Sequence, residues 1–362
     1  MQLFNVQGGK VAKLEALINE VNKEFKAEII QWGFTYNDYK RIPFSSPTLN
    51  YMTYGGLPRD CIVEFAGKES SGKSTMALDI ASNAQKIFLQ EFEDGEVEIE
   101  KKVLYVDAEN TLHPWWTEKL GVDPDKLVVI KPTGQSAEDM LEMITQFAET
   151  GEIGLIILDS IGALISKKLL DGEIGDGEYG GIAKVLSNFS QKMVQICRKH
   201  QVLLIGINQM YTNLNARFNL DQKKGGKGWK YFCSIQLNFR DDTDIDEEGR
   251  DTGKRNYETP SGKIFKAVLD KGKVFPPNRK LSSFTISFEK GVDVLSDLVE
   301  IAMMYDIISR AGAWYSIFDP ETGEEVAKLQ GKAKVDEYLE ENEMFTKKLI
   351  GYLYDESKKF IE

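Results

Sequence analysis

From about residue 60 onward, short apolar runs alternate with longer stretches whose apolar residues recur every three or four positions. The runs extend from Cys61 to Ala66, Val103 to Val106, Leu127 to Ile130, Leu155 to Leu158 and Val202 to Ile205. Near-continuous runs of this length suit strands buried on both faces. Met76 to Ala81 reads as the opening of a helix. Val185, Leu186, Phe189, Met193 and Ile196 share one face of another that starts near Ile182. This βα alternation predicts an α/β core with a mostly parallel sheet covered by helices. From Cys233 the pattern turns to strands without long helices: Ser234 to Leu237, Phe265 to Leu269 and Phe284 to Phe288. They predict an antiparallel extension of the same sheet.

Both ends of the chain read differently from this core. Val11, Leu14, Ile18, Val21 and Phe25 make an amphipathic helix, and Ala27 to Trp32 is a candidate short strand. A helix and strand with so little of their own to bury against either dock on a neighbouring subunit or fold back on their own chain. Beyond Gly291, Val294, Leu295, Leu298 and Ile301 form one apolar stripe. Tyr338, Leu339, Phe345, Leu349, Leu353 and Phe360 mark later helices. The expected division is an arm over 1–33, a core over 34–290 and a small α+β domain over 291–362.

Composition narrows the class. The 362 residues are 42% hydrophobic and 28% charged, as in a soluble globular protein, and no apolar run approaches the roughly 20 residues of a membrane span. Met1 to Lys10 lacks the order of a signal peptide, so a cytoplasmic protein without a membrane partner is expected. Cys61, Cys197 and Cys233 lie in apolar segments and read as buried thiols. With only His113 and His200 beside them, no zinc site is expected. The net charge of −12 argues against a polyanionic partner until its distribution is considered. Six carboxylates fall between Glu91 and Glu100 and seven between Asp241 and Asp251, both read as solvated surface loops.

The chemistry concentrates in Gly67-Lys68-Glu69-Ser70-Ser71-Gly72-Lys73-Ser74-Thr75, which fits G-x-x-x-x-G-K-[ST] between a strand and a helix. In that order, backbone N–H groups and the helix dipole face nucleotide phosphates. Lys73 is placed to reach the β/γ-phosphates and the Ser74 hydroxyl to ligate Mg²⁺. Asp159 ends an apolar run, either as a Mg²⁺ partner or as a helix cap. Asp107-Ala108-Glu109 ends another, with Glu109 the candidate base and Asp107 an outer metal partner, unless both only cap the next helix. Asn208-Gln209 ends a third, where the Gln209 amide can touch a γ-phosphate or its water. Met210 to Gly228 then reads as a long loop carrying Arg217, Lys223, Lys224 and Lys227 around Phe218. Cations around an aromatic suit single-stranded nucleic acid, and a solvated flexible loop has the same composition. Gly175-Asp176-Gly177-Glu178-Tyr179-Gly180-Gly181 is a second, weaker glycine-rich loop.

Taken together, these residues resemble the RecA family of ATP-dependent strand-exchange recombinases. The resemblance runs from Gly55-Gly56-Leu57-Pro58 through the phosphate loop, Asp107-Ala108-Glu109, Leu158-Asp159-Ser160, Gly172 to Asp176 and Ile207-Asn208-Gln209. It continues through Lys271-Gly272-Lys273-Val274-Phe275-Pro276-Pro277 to Ala311-Gly312-Ala313-Trp314-Tyr315-Ser316. It implies ATP and Mg²⁺ as cofactors and a helical homo-oligomeric filament on single-stranded DNA, paired with a homologous duplex. Single-strand-binding or mediator proteins are the further partners it implies. It also implies Glu109 as catalytic glutamate, Gln209 as the residue coupling ATP to DNA, and Trp116 stacked on adenine. Lys271 and Lys273 would reach the neighbour's ATP, and Lys230 and Tyr231 would lie at the filament interface. Two DNA loops follow from the same likeness. One is Glu173 to Gly180, including Gly175, Asp176, Tyr179 and Gly180 with Lys184 beyond it. The other is Met210 to Gly225, including Tyr211, Arg217, Phe218, Lys223 and Lys224, with Gly226 beyond it.

The chain departs from the family pattern at Tyr211, Lys184 and Gln191, which stand where bacterial members carry arginine, and at His113, which replaces an aspartate. The acidic blocks look like insertions. These departures are as compatible with a phage-encoded, UvsX-like member acting in its host as with a bacterial one. Two other readings of a phosphate loop remain, a hexameric helicase-type motor and a non-catalytic ATP-binding assembly protein. The docking arm and the Lys271/Lys273 pair weigh against the first, and intact Lys73, Glu109 and Asp159 against the second.

Overall fold

The computed structural model describes residues 8–25, 30, 40–172, 181–212, 221–223, 225–246, 249–255 and 257–359. They fall into two compact units, Met1–Lys40 and Arg41–Glu362. In the first, helix α1 (Gly8–Phe25) leaves Leu14, Leu17 and Phe25 exposed, and the Asn22 side chain bonds to the backbone N–H and C=O of Ile30. The candidate strand from Ala27 to Trp32 lies almost wholly outside the described residues.

The second unit opens with β1 (Arg41–Ile42), α2 (Pro47–Met52) and β2 (Leu57–Pro58), then alternates strands and helices. These are β3 (Ile62–Gly67), α3 (Lys73–Glu93), β4 (Lys102–Asp107), α4 (Pro114–Lys119), β5 (Leu127–Ile130), α5 (Ala137–Glu149) and β6 (Ile153–Asp159). α6 (Lys167–Leu170), α7 (Gly181–His200), β7 (Leu203–Thr212), β8 (Asp221–Lys223) and α8 (Gly226–Phe232) follow. Three long strands turn back on one another as β9 (Ile235–Ile245), β10 (Gly262–Gly272) and β11 (Leu281–Ser287), ending in β12 (Gly291–Val292). The sheet order is β12-β11-β10-β9-β3-β7-β6-β4-β5. Pairings are parallel from β9 to β5 and antiparallel from β9 to β12, so the sheet is mostly parallel with an antiparallel extension.

The strands are buried on both faces because each parity meets its own apolar layer. Val63, Phe65, Tyr105, Ile157 and Ile205 pack under α3, whereas Ile62, Leu104, Val106, Ile156 and Leu204 pack under α5 and α7. α5 starts at a reciprocal cap between Ser136 and Asp139, and α7 ends in Arg198, Lys199 and His200, complementing the dipole.

The last segment forms its own core from α9 (Val294–Met304), a three-stranded sheet β13 (Ile308–Ala311), β14 (Trp314–Phe318) and β15 (Glu325–Gln330), and helices α10 (Lys332–Glu341) and α11 (Glu343–Lys358). Arg279 ties it to the main body: its guanidinium lies 4.0 and 3.9 Å from the rings of Tyr51 and Tyr54 and donates to the carbonyls of Tyr51 and Ser357.

Two expectations need correction. The stretch from Met210 to Gly228 is not one long loop. Its ends form the antiparallel β7–β8 hairpin and its last residues start α8, because the strand persists past its buried run. The acidic blocks are not simply solvated. Glu91 is buried against Arg59 at 2.6 Å, and Glu100 meets Lys102 and Lys126, each at 2.9 Å. In the second block Asp244, also buried, pairs with Lys263 at 3.3 Å, and Asp242 with Lys266 at 2.7 Å, because β9 runs on to Ile245 beside β10. Cys61, Cys197 and Cys233 are buried, unbridged thiols. Among the described residues no helix is long and apolar enough to cross a membrane.

Candidate active site

The phosphate loop leaves the C-terminal end of β3, a central strand, and closes on the N-terminus of α3. Gly72 caps that helix at φ +84°, a left-handed conformation that disfavours any side chain, and it brings no side chain of its own to the helix's first N–H groups. Gly67 is required for space: a Cβ there would lie 2.3 Å from the Phe239 carbonyl oxygen. The loop braces itself through Ser71, whose hydroxyl donates to the Lys68 carbonyl at 2.8 Å. Lys73 donates to the same carbonyl at 2.5 Å and to the Ser71 Oγ at 3.2 Å. Glu69 and Ser70 are exposed on the loop's rim.

Next to it, β6 delivers Asp159. Its Oδ2 accepts from the Ser74 hydroxyl at 2.7 Å and from the Tyr105 hydroxyl at 2.7 Å. Burial pushes the Asp159 carboxyl up, the Tyr105 and Ser74 hydrogen bonds pull it down, and Glu109 and Asp107 push it up again. Burial also draws the Lys73 ammonium down, against the carboxylates of Asp159, Glu109 and Glu69. A buried carboxylate joined to a hydroxyl, with acids facing a lysine, is a hard-oxygen donor set that fits Mg²⁺ bound chiefly through phosphate oxygens. Among the described residues no group of three or more His, Cys, Asp or Glu is placed to hold a metal by itself.

Glu109 stands on the adjacent turn after β4. Its Oε1 accepts from Gln209 Nε2 at 3.0 Å and from the Ser160 hydroxyl. Gln209 is the residue at which β7 runs past its last parallel pairing, opposite Gly67. The base candidate and the amide at the head of the hairpin are therefore already in contact. The Asp107 carboxylate accepts from the backbone N–H groups of Thr111 and Leu112 and shapes the turn that presents Glu109. Trp116 leans over the start of α3, its indole N–H 3.3 Å from the Thr75 hydroxyl, while the neighbouring Trp115 is exposed.

Lys271 and Lys273 are not at this site. Lys271 is level with Gln236 of β9 and hence with Glu64 of β3, and the Lys273 backbone N–H bonds to the Ser234 carbonyl below that. At about 3.3 Å per residue and 4.8 Å per strand, Lys271 lies roughly 10 Å down and roughly 10 Å across from Gly67. Both ammonium groups turn to the last turn of α8. Lys271 donates to the Lys230 and Tyr231 carbonyls, and Lys273 to the Tyr231 carbonyl at 3.0 Å while lying 4.9 Å from its ring. Burial lowers the Lys271 pKa first, and the nearby Lys273 charge lowers it further.

Of the candidate nucleic-acid residues, Gly175, Asp176, Tyr179, Gly180, Arg217, Phe218 and Lys224 lie outside the described residues. Met210 and Tyr211 continue β7, Lys223 belongs to β8, and Lys184 is exposed on the first turn of α7. Gly225 and Gly226 hold φ of +98° and +71°, and a Cβ on Gly226 would come 2.7 Å from that of Ala183. Their local requirement is thus the turn into α8 and its close seat on α7. Sequence reasoning passed over Tyr105, Ser160 and Glu64. The signal for Glu64 was present: one carboxylate inside an otherwise apolar strand run.

Two family descriptions match the chain, the RecA N-terminal domain over residues 12–293 and the RecA C-terminal domain over 296–353. Protein RecA of Colwellia psychrerythraea is 31% identical over 351 residues, 96% of this chain and 93% of the relative. Protein RecA of Mycoplasma mycoides is 33% identical over 356 residues, covering 97% and 93%. That of Clostridioides difficile is 33% identical over 289 residues, covering 80% and 74%. The chain belongs to the RecA family, the DNA-dependent ATPases of homologous recombination.

Proposed function

We propose that the chain polymerises on single-stranded DNA into a helical filament with ATP between adjacent subunits, and exchanges strands with a homologous duplex. The observation that carries this reading is the Gln209–Glu109 hydrogen bond, which joins the base candidate to the strand that continues into the β7–β8 hairpin.

The loop from Gly67 to Thr75 and the uncapped start of α3 bind the phosphates, and Trp116 stacks on the base. Ser74 and Asp159 would hold Mg²⁺, which would supply positive charge to neutralise the phosphates. Glu109 orients and deprotonates the attacking water. Its hydrogen bond from Gln209 senses the γ-phosphate, so loss of that group releases the hairpin from its DNA-binding state. Residues 173–180 and 210–226, with Lys184, contact the DNA.

The position of Lys271 and Lys273 supports action in trans. They cannot serve their own phosphate loop from the far end of the sheet, and a polyphosphate anion would relieve their mutual repulsion. Cationic groups supplied by a partner can accelerate phosphoryl transfer by about 10³ to 10⁵. Residues 1–33 serve as the polymerisation arm. The apolar residues left exposed on α1 support this, as does β5 at the open edge of the sheet, where Leu112, Pro114, Leu127 and Val129 line a hollow. The core spans 34–290 and the C-terminal domain 291–362. The protein works in a bacterial cytoplasm, whether bacterial or phage-encoded, with single-strand-binding or mediator proteins as further partners.

The test measures ATP turnover with and without single-stranded DNA and images the assemblies by electron microscopy. Stimulation by DNA and helical filaments are expected. Closed rings without stimulation would overturn the reading in favour of a hexameric motor.

A further inference from the structure

Glu64 sits in the middle of the central strand β3, fully buried, and the established chemistry makes no use of it. Among the described residues, side chains of β7, α8 and β9 donate to it. Asn208 Nδ2 of β7 reaches Oε1 at 2.9 Å, Trp229 Nε1 of α8 reaches the same oxygen at 3.0 Å, and Gln236 Nε2 of β9 reaches Oε2 at 3.0 Å. The register makes this possible, since Glu64 lies directly beside Gly206 on one side and Gln236 on the other. Gly206 leaves the room: a Cβ there would come 2.4 Å from Trp229 Cζ2, so the indole can approach the strand this closely only because that residue is glycine.

Two of the donors, Asn208 and Trp229, are one covalent step from a group with a function assigned above. Asn208 precedes Gln209, which contacts Glu109. Trp229 precedes Lys230 and Tyr231, whose carbonyls hold the ammonium groups of Lys271 and Lys273. Those carbonyls belong to the last turn of α8, where helix carbonyls lack partners and cations are favoured. When the lysines move to a neighbour's nucleotide, α8 loses two cations that its last-turn carbonyls hold and keeps only its own Lys230 there, and the helix carrying Trp229 is the element that responds.

We infer that Glu64 is a positioning residue that couples the two ends of the sheet, passing the engagement of Lys271 and Lys273 through Trp229 and Asn208 to Gln209 and Glu109. This rests on the reading that the lysine pair acts on a neighbouring subunit. The state of one ATP interface is thereby transmitted to the next within a single subunit, and turnover along the filament becomes cooperative.

The measurement is the ATP dependence of DNA-stimulated hydrolysis by the full chain. Trp229→Phe removes the N–H donor and keeps a ring over Gly206, and Glu64→Gln keeps the shape and withdraws one acceptor. Near-ultraviolet circular dichroism identifies whichever variant keeps the native fold. The wild type is expected to give a Hill coefficient above 1. Each folded variant is expected to lower it toward 1 while turnover at saturating ATP and DNA stays within about twofold. A merely structural role lowers the melting temperature and leaves the Hill coefficient unchanged. That result, or a wild-type coefficient of 1 with intact DNA stimulation, overturns the inference. Absence of DNA stimulation in the wild type would instead overturn the recombinase reading.

Discussion

At the C-terminal end of the parallel strands, Lys73, Ser74, Asp159, Glu109 and Gln209 are knit together by hydrogen bonds and proximity within one subunit. Lower on the sheet, Lys271 and Lys273 rest on backbone carbonyls of α8, partly or wholly exposed. The first end is half a catalytic site under electrostatic tension, with a buried carboxylate pushed up and a buried lysine drawn down. The second is a cationic surface with nothing of its own to catalyse. Their separation in one subunit and complementarity in charge are what a head-to-tail polymer requires, because a heterologous contact brings the bottom of one sheet to the top of the next.

The sharpest way to break this comparison is to disable the ends separately. Glu109→Gln is expected to lower DNA-stimulated turnover by about 10²- to 10⁴-fold with ATP binding retained. Lys271→Ala is expected to cost about 10³-fold, although it lies far from its own phosphate loop. Mixing the two inactive proteins should restore turnover at interfaces that pair an intact Glu109 with an intact Lys271. No recovery in the mixture would sink the trans arrangement.

Trp116→Ala sharpens the first end. Losing one stacked ring should raise KM for ATP by about 3- to 10-fold with little change in kcat. An unchanged KM would mean that the base sits elsewhere, with the exposed Trp115 the next residue to test.

A smaller effect comes from Asp79, on α3 behind the loop. Its carboxylate accepts from the Ser45 backbone N–H at 2.9 Å, and burial pushes its pKa from 3.8 to about 6. Such a group holds its proton more tightly folded than unfolded. The stability it provides is therefore complete below about pH 4 and lost as pH rises through 6, amounting to about 2 to 3 kcal/mol at most. Asp79→Asn should raise Tm by a few degrees at pH 7.5, with the gain shrinking toward pH 4. A gain that is the same at both pH values would mean that the charge is not the cause.

Much of the loop end was legible in advance because its chemistry is local. The glycines, Lys73 and Ser74 fall within nine residues, and Asp159, Glu109 and Gln209 each announce themselves as polar residues that end apolar strands. Asp107 shared that signal without its local role being legible. Only the fold shows that its carboxylate is occupied by the N–H groups of Thr111 and Leu112, leaving Glu109 to face the site. The acidic blocks misled for a similar reason. Charge density along a sequence reads as solvation, yet Glu91 and Asp244 found Arg59 and Lys263 across the fold.

The sequence by itself determined the alternation of strand and helix, the phosphate-binding loop, the residues that can do its chemistry and, through the order of its motifs, the family. Periodicity and backbone conformation are set by neighbours within a turn or two, so they can be read along the chain. Tertiary structure alone decided that the Lys271/Lys273 pair stands at the far end of the sheet, and that Glu64 receives donors from residues 144, 165 and 172 positions away. Strand order and register create those pairings, and both are fixed by how two apolar faces are buried at once, which no local stretch specifies.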